Sequence, residues 1–357
     1  MDKLDIADIF EQISPILVNP KETSVTISLS KRFFLFQMLG ELTKKIEEDP
    51  YLNFISILKY YKAFGDLLHG TIHELYRDRN SPYFRDFFAE YKLYRHVKAD
   101  LEEVYRQNKE IRITITKSGI IIYDNYKTNH FNLLLLTMHS GTWMPLNIQN
   151  KQSISAEERF LEEDVAIDRI YRSLVLKNSG IWIDNKMSRF ACDYNRRRIN
   201  AIYKDESEKW LGRVWKKTLT SQEKEWLLKG YDVFYFYLNH LIDTHRFNMV
   251  FDGHSMKDAP KRAEISFGTR FVPKFYLPIV ENLKKQLCRK NCFCAVKYNA
   301  PFSGGHILER LSNKFPDIFI LSLEVNKKLY MNSVRTKIKE IKLNSLSKQI
   351  FSVFGNF

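Results

Sequence analysis

FNMVFDGHSM, residues 247–256, changes character at its midpoint. The first five residues read as a buried strand, and Asp252, Gly253, His254 and Ser255 then bring a carboxylate, a glycine, an imidazole and a hydroxyl to the place where the apolar run stops. Three other short runs have the same look: FNLLLLTM (131–138), CFCAVKY (292–298) and IFILSLE (318–324). Helix-length segments such as SQEKEWLLKGYDVFYFYLNHLIDTH (221–245) separate them. Apolar runs alternating with helices predict central strands of a mostly parallel sheet in an α/β fold.

In such sheets ligands bind beyond the carboxyl ends of the strands. The residues just past each run therefore matter most. His139-Ser140-Gly141 comes after the first, Asp252-Gly253-His254-Ser255 after the second, and Asn299-Ala300-Pro301-Phe302-Ser303-Gly304-Gly305 after the third, while Glu324 closes the fourth. Core packing gives no reason for polar groups to gather at equivalent strand ends, so the spacing predicts one rim that carries chemistry.

Working toward the N-terminus, IRITITKSGIIIYDNY (111–126) alternates with period two around Ser118-Gly119, which predicts a hairpin. This places a boundary near 110. Before it, Leu35, Met38, Leu39 and Leu42 keep helical spacing and Ser81-Pro82 forms a helix start, so residues 1–110 read as an extension of three helices. His69 and His73 stand four apart within it, but Gly70 occupies the place of the glutamate of a zinc-protease helix, and they read as packing or surface histidines.

Composition narrows the function. A chain of 357 residues that is 44% hydrophobic can bury a large core. No run of eighteen apolar residues occurs, and MDKLDIADIFEQ is acidic where a secretory leader is basic, so the expectation is a cytoplasmic protein without a membrane span. Cys288, Cys292 and Cys294 lack a fourth metal ligand nearby and read as reduced thiols. The net charge of +14 is spread in short groups such as Arg196–Arg198, without a nucleic-acid motif. It predicts a solvated surface or a small acidic substrate rather than a specific nucleic-acid partner.

Two histidines and one carboxylate make an established zinc set with an open position. His139 and His254 supply the imidazoles, and LEEDVAIDRIY offers Glu163 or Asp164 as the acid. Glu324 is then the natural general base. A guanidinium grips a carboxylate with two parallel hydrogen bonds, which gives Arg196 a substrate-anchoring reading, and Arg189 could stabilise an oxyanion. Arg197 and Arg198 read as solvated surface. Asn299, Gly304 and Gly305 are candidates for the pocket lining, and Asp252 and Ser140 for supports behind the ligands.

MHSGTWMP, EEDVAIDRIY, SRFACDYNR, FDGHSM, YNAPFSGGHI and LEVNKKLYM together resemble, in order and form, the N-formylglutamate amidohydrolase family over roughly 112–335. The resemblance implies a three-layer α/β/α fold similar to the zinc carboxypeptidases, one zinc ion per chain, and hydrolysis of a C–N bond in a small carboxylate-bearing N-acyl amino acid or peptide-like substrate. It implies His139, His254 and Asp164, in preference to Glu163, as ligands. Glu324 matches the catalytic glutamate, and Asn195-Arg196 the pair that holds a substrate carboxylate. Met138 stands where a proline is usual, the arginine run after Asn195 is unusually basic, and SFGTR (266–270) fits its segment loosely, which leaves the substrate open. A carboxypeptidase or peptidoglycan-type amidase with the same zinc site, and a basic binding module without turnover, are the alternatives.

Overall fold

The computed structural model describes residues 71–73, 93–116, 118–204, 213–291, 293 and 295–355. Its centre is built by the apolar runs. Strands β4 (Asn132–Thr137), β5 (Ser179–Asn185), β6 (Met249–Met256) and β9 (Phe319–Asn326) are buried along their whole length and run parallel in the order β5-β4-β6-β9. On one side the sheet continues antiparallel through β3 (Ile120–Asn125), β2 (Arg112–Thr116) and β1 (Thr71–His73). On the other side β7 (Ile265–Gly268) runs antiparallel to β9, and β8 (Val296–Tyr298) closes the edge.

Helices lie on both faces of this mixed sheet, making an α/β fold of three layers. Among the described residues the helices are α1 (Leu93–Gln107), α2 (Leu146–Gln149), α3 (Ala156–Glu162), α4 (Ile167–Tyr171), α5 (Ser173–Leu176), α6 (Ser221–Thr244), α7 (Leu277–Asn291), α8 (His306–Lys314) and α9 (Glu340–Phe354). Thr220 caps the 24-residue α6 with a reciprocal Glu223 capping box, and Ser155 does the same for α3 through Glu158. The hairpin at Ser118-Gly119 is present, with Gly119 at φ 88° in the left-handed region.

Three expectations change. The run at 292–298 forms a short edge strand rather than a central one, and it runs opposite to β9 because its partner β7 is antiparallel to that strand. His254 sits inside β6 rather than past its end, and β9, which Glu324 was expected to close, runs on to Asn326. The reason is unequal length: pairing of β4 with β6 stops at Leu136–Asp252, whereas β6 and β9 stay paired to Met256–Asn326. From Gly253 onward β6 has lost its β4 neighbour, and the His139 ring stands 5.0 Å from that of His254, centroid to centroid. Finally, Thr71–His73 is a strand, as its β-branched Thr71 and Ile72 favour, so His73 does not stand on a helix.

Helix α1 contributes Val97, Leu101 and Val104 to the core, so the described part of residues 1–110 is continuous with the sheet. The predicted helices before residue 93, with Leu35, Met38, Leu39, Leu42 and Ser81-Pro82, lie outside the described residues, as do His69, Cys292 and Cys294. Cys192 and Cys288 are free thiols.

Candidate metal centre

Strand alternation explains the order Asp-Gly-His-Ser. Asp252 and His254 share one face of β6, while Gly253 points to the other. On that other face the Tyr171 ring presses so closely that a Cβ at position 253 would come within 2.4 Å of it. The Tyr171 hydroxyl donates across both strands, to the carbonyls of Leu323 (3.1 Å) and His254 (3.4 Å).

Asp164 reaches the same place from the turn between α3 and α4. Its N–H donates to the His139 carbonyl at 3.1 Å, and buried Lys327 donates to the carbonyls of Leu161 and Glu163 at 2.5 and 2.6 Å, pinning the turn. Glu163 leaves α3 in an extended conformation, so consecutive acids diverge. Asp164 turns to the histidines, and Glu163 accepts from Ser188 and lies 3.8 Å from Arg159.

The three donor atoms of His139, Asp164 and His254 lie within 4.8 Å of one another, and all three residues are buried. Both imidazoles offer Nδ1 inward: His254 Nδ1 is 3.0 Å and His139 Nδ1 3.7 Å from Asp164 Oδ2. Both have Nε2 on a carboxylate, with His139 at 2.8 Å from Asp193 and His254 at 2.9 Å from Asp252. An outer carboxylate on the far nitrogen is the usual support of a metal-binding histidine, because it fixes the tautomer and ring orientation. Two imidazole nitrogens and a carboxylate oxygen, buried and converging, suit zinc.

The electrostatics are those of a buried, acid-rich site. Burial opposes ionisation of Asp164, but the hydrogen bonds and charge of His139 and His254 hold its pKa far below the usual carboxylate range. Burial likewise opposes a charged His254, yet Asp252, Asp164 and Glu324 hold it well above the usual imidazole value. Glu324 is pushed up to about 8, by burial first and then by Asp164 and Asp252. Its Oε2 is buried with no hydrogen-bond partner among the described residues.

Asp193 is the residue that the sequence reading passed over. Its carboxylate takes His139 Nε2, a 2.8 Å bond from Arg189, a 3.1 Å bond from the Tyr203 hydroxyl and the Asn195 N–H at 3.0 Å. It is the one acid in SRFACDYNR, and that was the available signal. Burial would raise its pKa, but Arg189 and His139 bring it well below normal.

A cavity of about 290 Å³ is lined by His139, Asp164, Arg189, Asn195, His254 and Glu324, together with the loop at 301–305. Arg189 also approaches His139 Nδ1 at 3.3 Å. Asn195 accepts from the Ile307 N–H at 3.0 Å, and a Cβ on Gly305 would lie 2.3 Å from its amide, so glycine permits this approach. Gly304 adopts φ 125°.

Other candidates stand apart from that group. The Arg196 guanidinium lies over the Tyr203 ring at 4.4 Å, beside Asp193, and does not line the cavity. Asn299 ties its side chain to Thr269 and is likewise absent from the lining. Ser140 donates to Asp184 and to the Thr137 carbonyl rather than to a ligand. A roomier groove of about 550 Å³ beside Trp215 and Leu228 has neither acid nor imidazole among its described lining residues, so the smaller cavity is the one equipped for chemistry.

Comparisons with known proteins point the same way. The family model for N-formylglutamate amidohydrolase matches residues 131–331, more than half of the chain. The crystal structure of an N-formylglutamate amidohydrolase from Ralstonia eutropha JMP134 is similar, with a TM-score of 0.52 and 15% identity, covering 67% of this chain and 96% of that one. At this identity the likeness speaks for the fold. A gene product, Atu2144, from Agrobacterium tumefaciens has a TM-score of 0.49 and 14% identity, covering 67% and 93% of the two chains. No curated protein sequence matches.

Proposed function

The chain belongs to the N-formylglutamate amidohydrolase family, and on that premise we propose that it is a zinc-dependent amidohydrolase cleaving the C–N amide bond of a small N-acyl amino acid, N-formyl amino acids being the first class to test. The observation that carries this reading is the buried His139–Asp164–His254 set opening on the cavity that also holds Glu324. Residues 111–357 form the catalytic domain in this proposal, with residues 1–110 an extension to it.

One ion per chain would be held by His139, Asp164 and His254. When bound, zinc supplies Lewis-acid polarisation of the amide carbonyl and a water acidic enough to react near pH 7. Glu324 accepts a proton from the attacking water and returns it to the departing nitrogen. A C–O bond forms as the C–N bond breaks, giving formate, or the corresponding acid, and a free amino acid. Arg189, on the cavity wall, meets the charge developing on the carbonyl oxygen. Asn195 and Arg196 orient the substrate carboxylate, with Arg196 leaving the Tyr203 ring to do so. Asp193 and Asp252 keep both imidazoles turned with Nδ1 inward.

Elemental analysis of protein purified without added metal tests the centre. The expected result is about one zinc per chain in the wild type and little in His254→Ala, since losing one of three ligands removes most of the affinity. No zinc in the wild type, even after reconstitution, would overturn the proposal.

A further inference from the structure

The segment that carries Asp164 is held by two side chains from another part of the chain. Lys327 donates to the carbonyls of Leu161 and Glu163 at 2.5 and 2.6 Å, and the Tyr330 hydroxyl donates to the carbonyl of Val165 at 3.1 Å. These three carbonyls stand at alternate positions on both sides of Asp164. Leu161 belongs to the last turn of α3, where carbonyls lack a partner within the helix, and an ammonium suits them by its charge and its three donors. Both gripping side chains are buried.

Both also follow directly on β9, the strand that carries Glu324. The exit from that strand is itself fixed. The Asn326 N–H donates to the Glu264 carbonyl at 2.8 Å, and its side-chain amide donates to the Ala263 carbonyl at 3.0 Å. The same side chain caps the 3-10 turn Lys327–Leu329 by accepting the Lys328 N–H. Only a short stretch of paired strand and capped turn therefore lies between Glu324 and the ammonium that grips the Asp164 segment.

Resting on the amidohydrolase reading, we propose that Lys327 and Tyr330 are positioning residues, a clasp that fixes the metal ligand Asp164 and the general base Glu324 as one unit. Neither is among the described residues that line the cavity, and each acts through the backbone of 161–165. The arrangement answers a geometric need, since a base and a ligand that serve one reacting water must keep their separation to a fraction of an ångström. Removing the ammonium takes the donor from two carbonyls and releases the turn.

The test compares Lys327→Met, Tyr330→Phe and the double variant with the wild type. Chelator competition should show zinc held roughly 10- to 100-fold more weakly by Lys327→Met and roughly 2- to 10-fold more weakly by Tyr330→Phe. The double variant should lose less than the product of the two, because both grips act on one segment. With zinc saturating and N-formylglutamate as substrate, Lys327→Met should lose about 10- to 100-fold in kcat with little change in KM. In the cobalt-loaded chain its visible absorption bands should shift, which a loss of stability alone does not produce. Tyr330→Phe removes a single hydroxyl, so the comparison survives if Lys327→Met does not fold. Hydrogen exchange of the metal-free chain reads the clasp without any ion: amides of 161–166 should exchange faster in both variants while those of β4 hold. Unchanged zinc affinity and kcat in both single variants, with only the urea midpoint lowered, overturns the inference and leaves the amidohydrolase reading standing. A wild type that binds no zinc overturns that reading, and hydrogen exchange then decides the clasp, wild-type rates in both variants refuting it.

Discussion

Two buried charge clusters lie near the end of strand β4, and they are balanced differently. In the first, Lys186 places its ammonium 2.8 Å from Asp168, 2.8 Å from Asp184 and 3.1 Å from Asp100. In the second, Asp164, Asp193, Asp252 and Glu324 surround two imidazoles, and Arg189 pairs with Asp193 while approaching His139 Nδ1. Buried charges persist only when paired, because removal from water costs several kcal/mol per ion. The first cluster carries its own cation at its centre, and among the described residues no lysine stands at the centre of the second. The second cluster sets four carboxylates around two imidazoles, an arrangement that would suit the cation of the proposed centre.

Four substitutions sharpen that contrast. The largest effect belongs to Glu324→Gln, which should lower kcat by about 10²- to 10⁴-fold in a steady-state assay while zinc content and the circular dichroism spectrum hold. Unchanged turnover would remove Glu324 from the chemistry. Lys186→Met comes next: it strands buried carboxylates and should cost about 3–5 kcal/mol in urea unfolding, with the zinc ligands themselves untouched. An unfolding midpoint equal to that of the wild type would mean that the first cluster does not depend on its lysine.

Asp193→Asn should weaken zinc binding by roughly 10- to 100-fold in chelator competition, since the His139 support is lost while the ligands remain. The mildest change concerns pH. Burial pushes Asp184 up to about 6, with Asp168 adding to it and Lys186 opposing. A folded pKa above the unfolded one means that its contribution to stability is present below about pH 4 and is lost as pH rises through 6. Asp184→Asn should therefore flatten the stability curve between those limits, and a curve parallel to that of the wild type would contradict the assignment.

Much of this was legible in the sequence, for physical reasons. FNLLLLTM and IFILSLE are apolar without alternation because β4 and β9 are covered on both faces, which is the pattern of a parallel centre. His139 and His254 could be proposed as ligands because metal-ligand chemistry restricts the residue types, whereas that chemistry left Glu163 and Asp164 both open and the preference for Asp164 came from the family resemblance. The overhang of β6 beyond β4 could not be seen, because register is a property of pairs of strands. The reversed direction of β7 and β8 was hidden for the same reason. Asp193 escaped because a lone acid in a motif acquires meaning only from the imidazole that meets it. Asn299 and Ser140 were placed near the chemistry by chain proximity, but their hydrogen bonds run to Thr269 and Asp184.

The Tyr171 ring over Gly253 makes α4 a caliper. Asp164 stands just before this five-residue helix and Tyr171 ends it, bearing on the backbone beside His254. One short rigid rod therefore gauges the gap between two of the three ligand positions. A side chain at position 253 would collide with that ring, so the glycine is what lets the rod bear on the strand this closely.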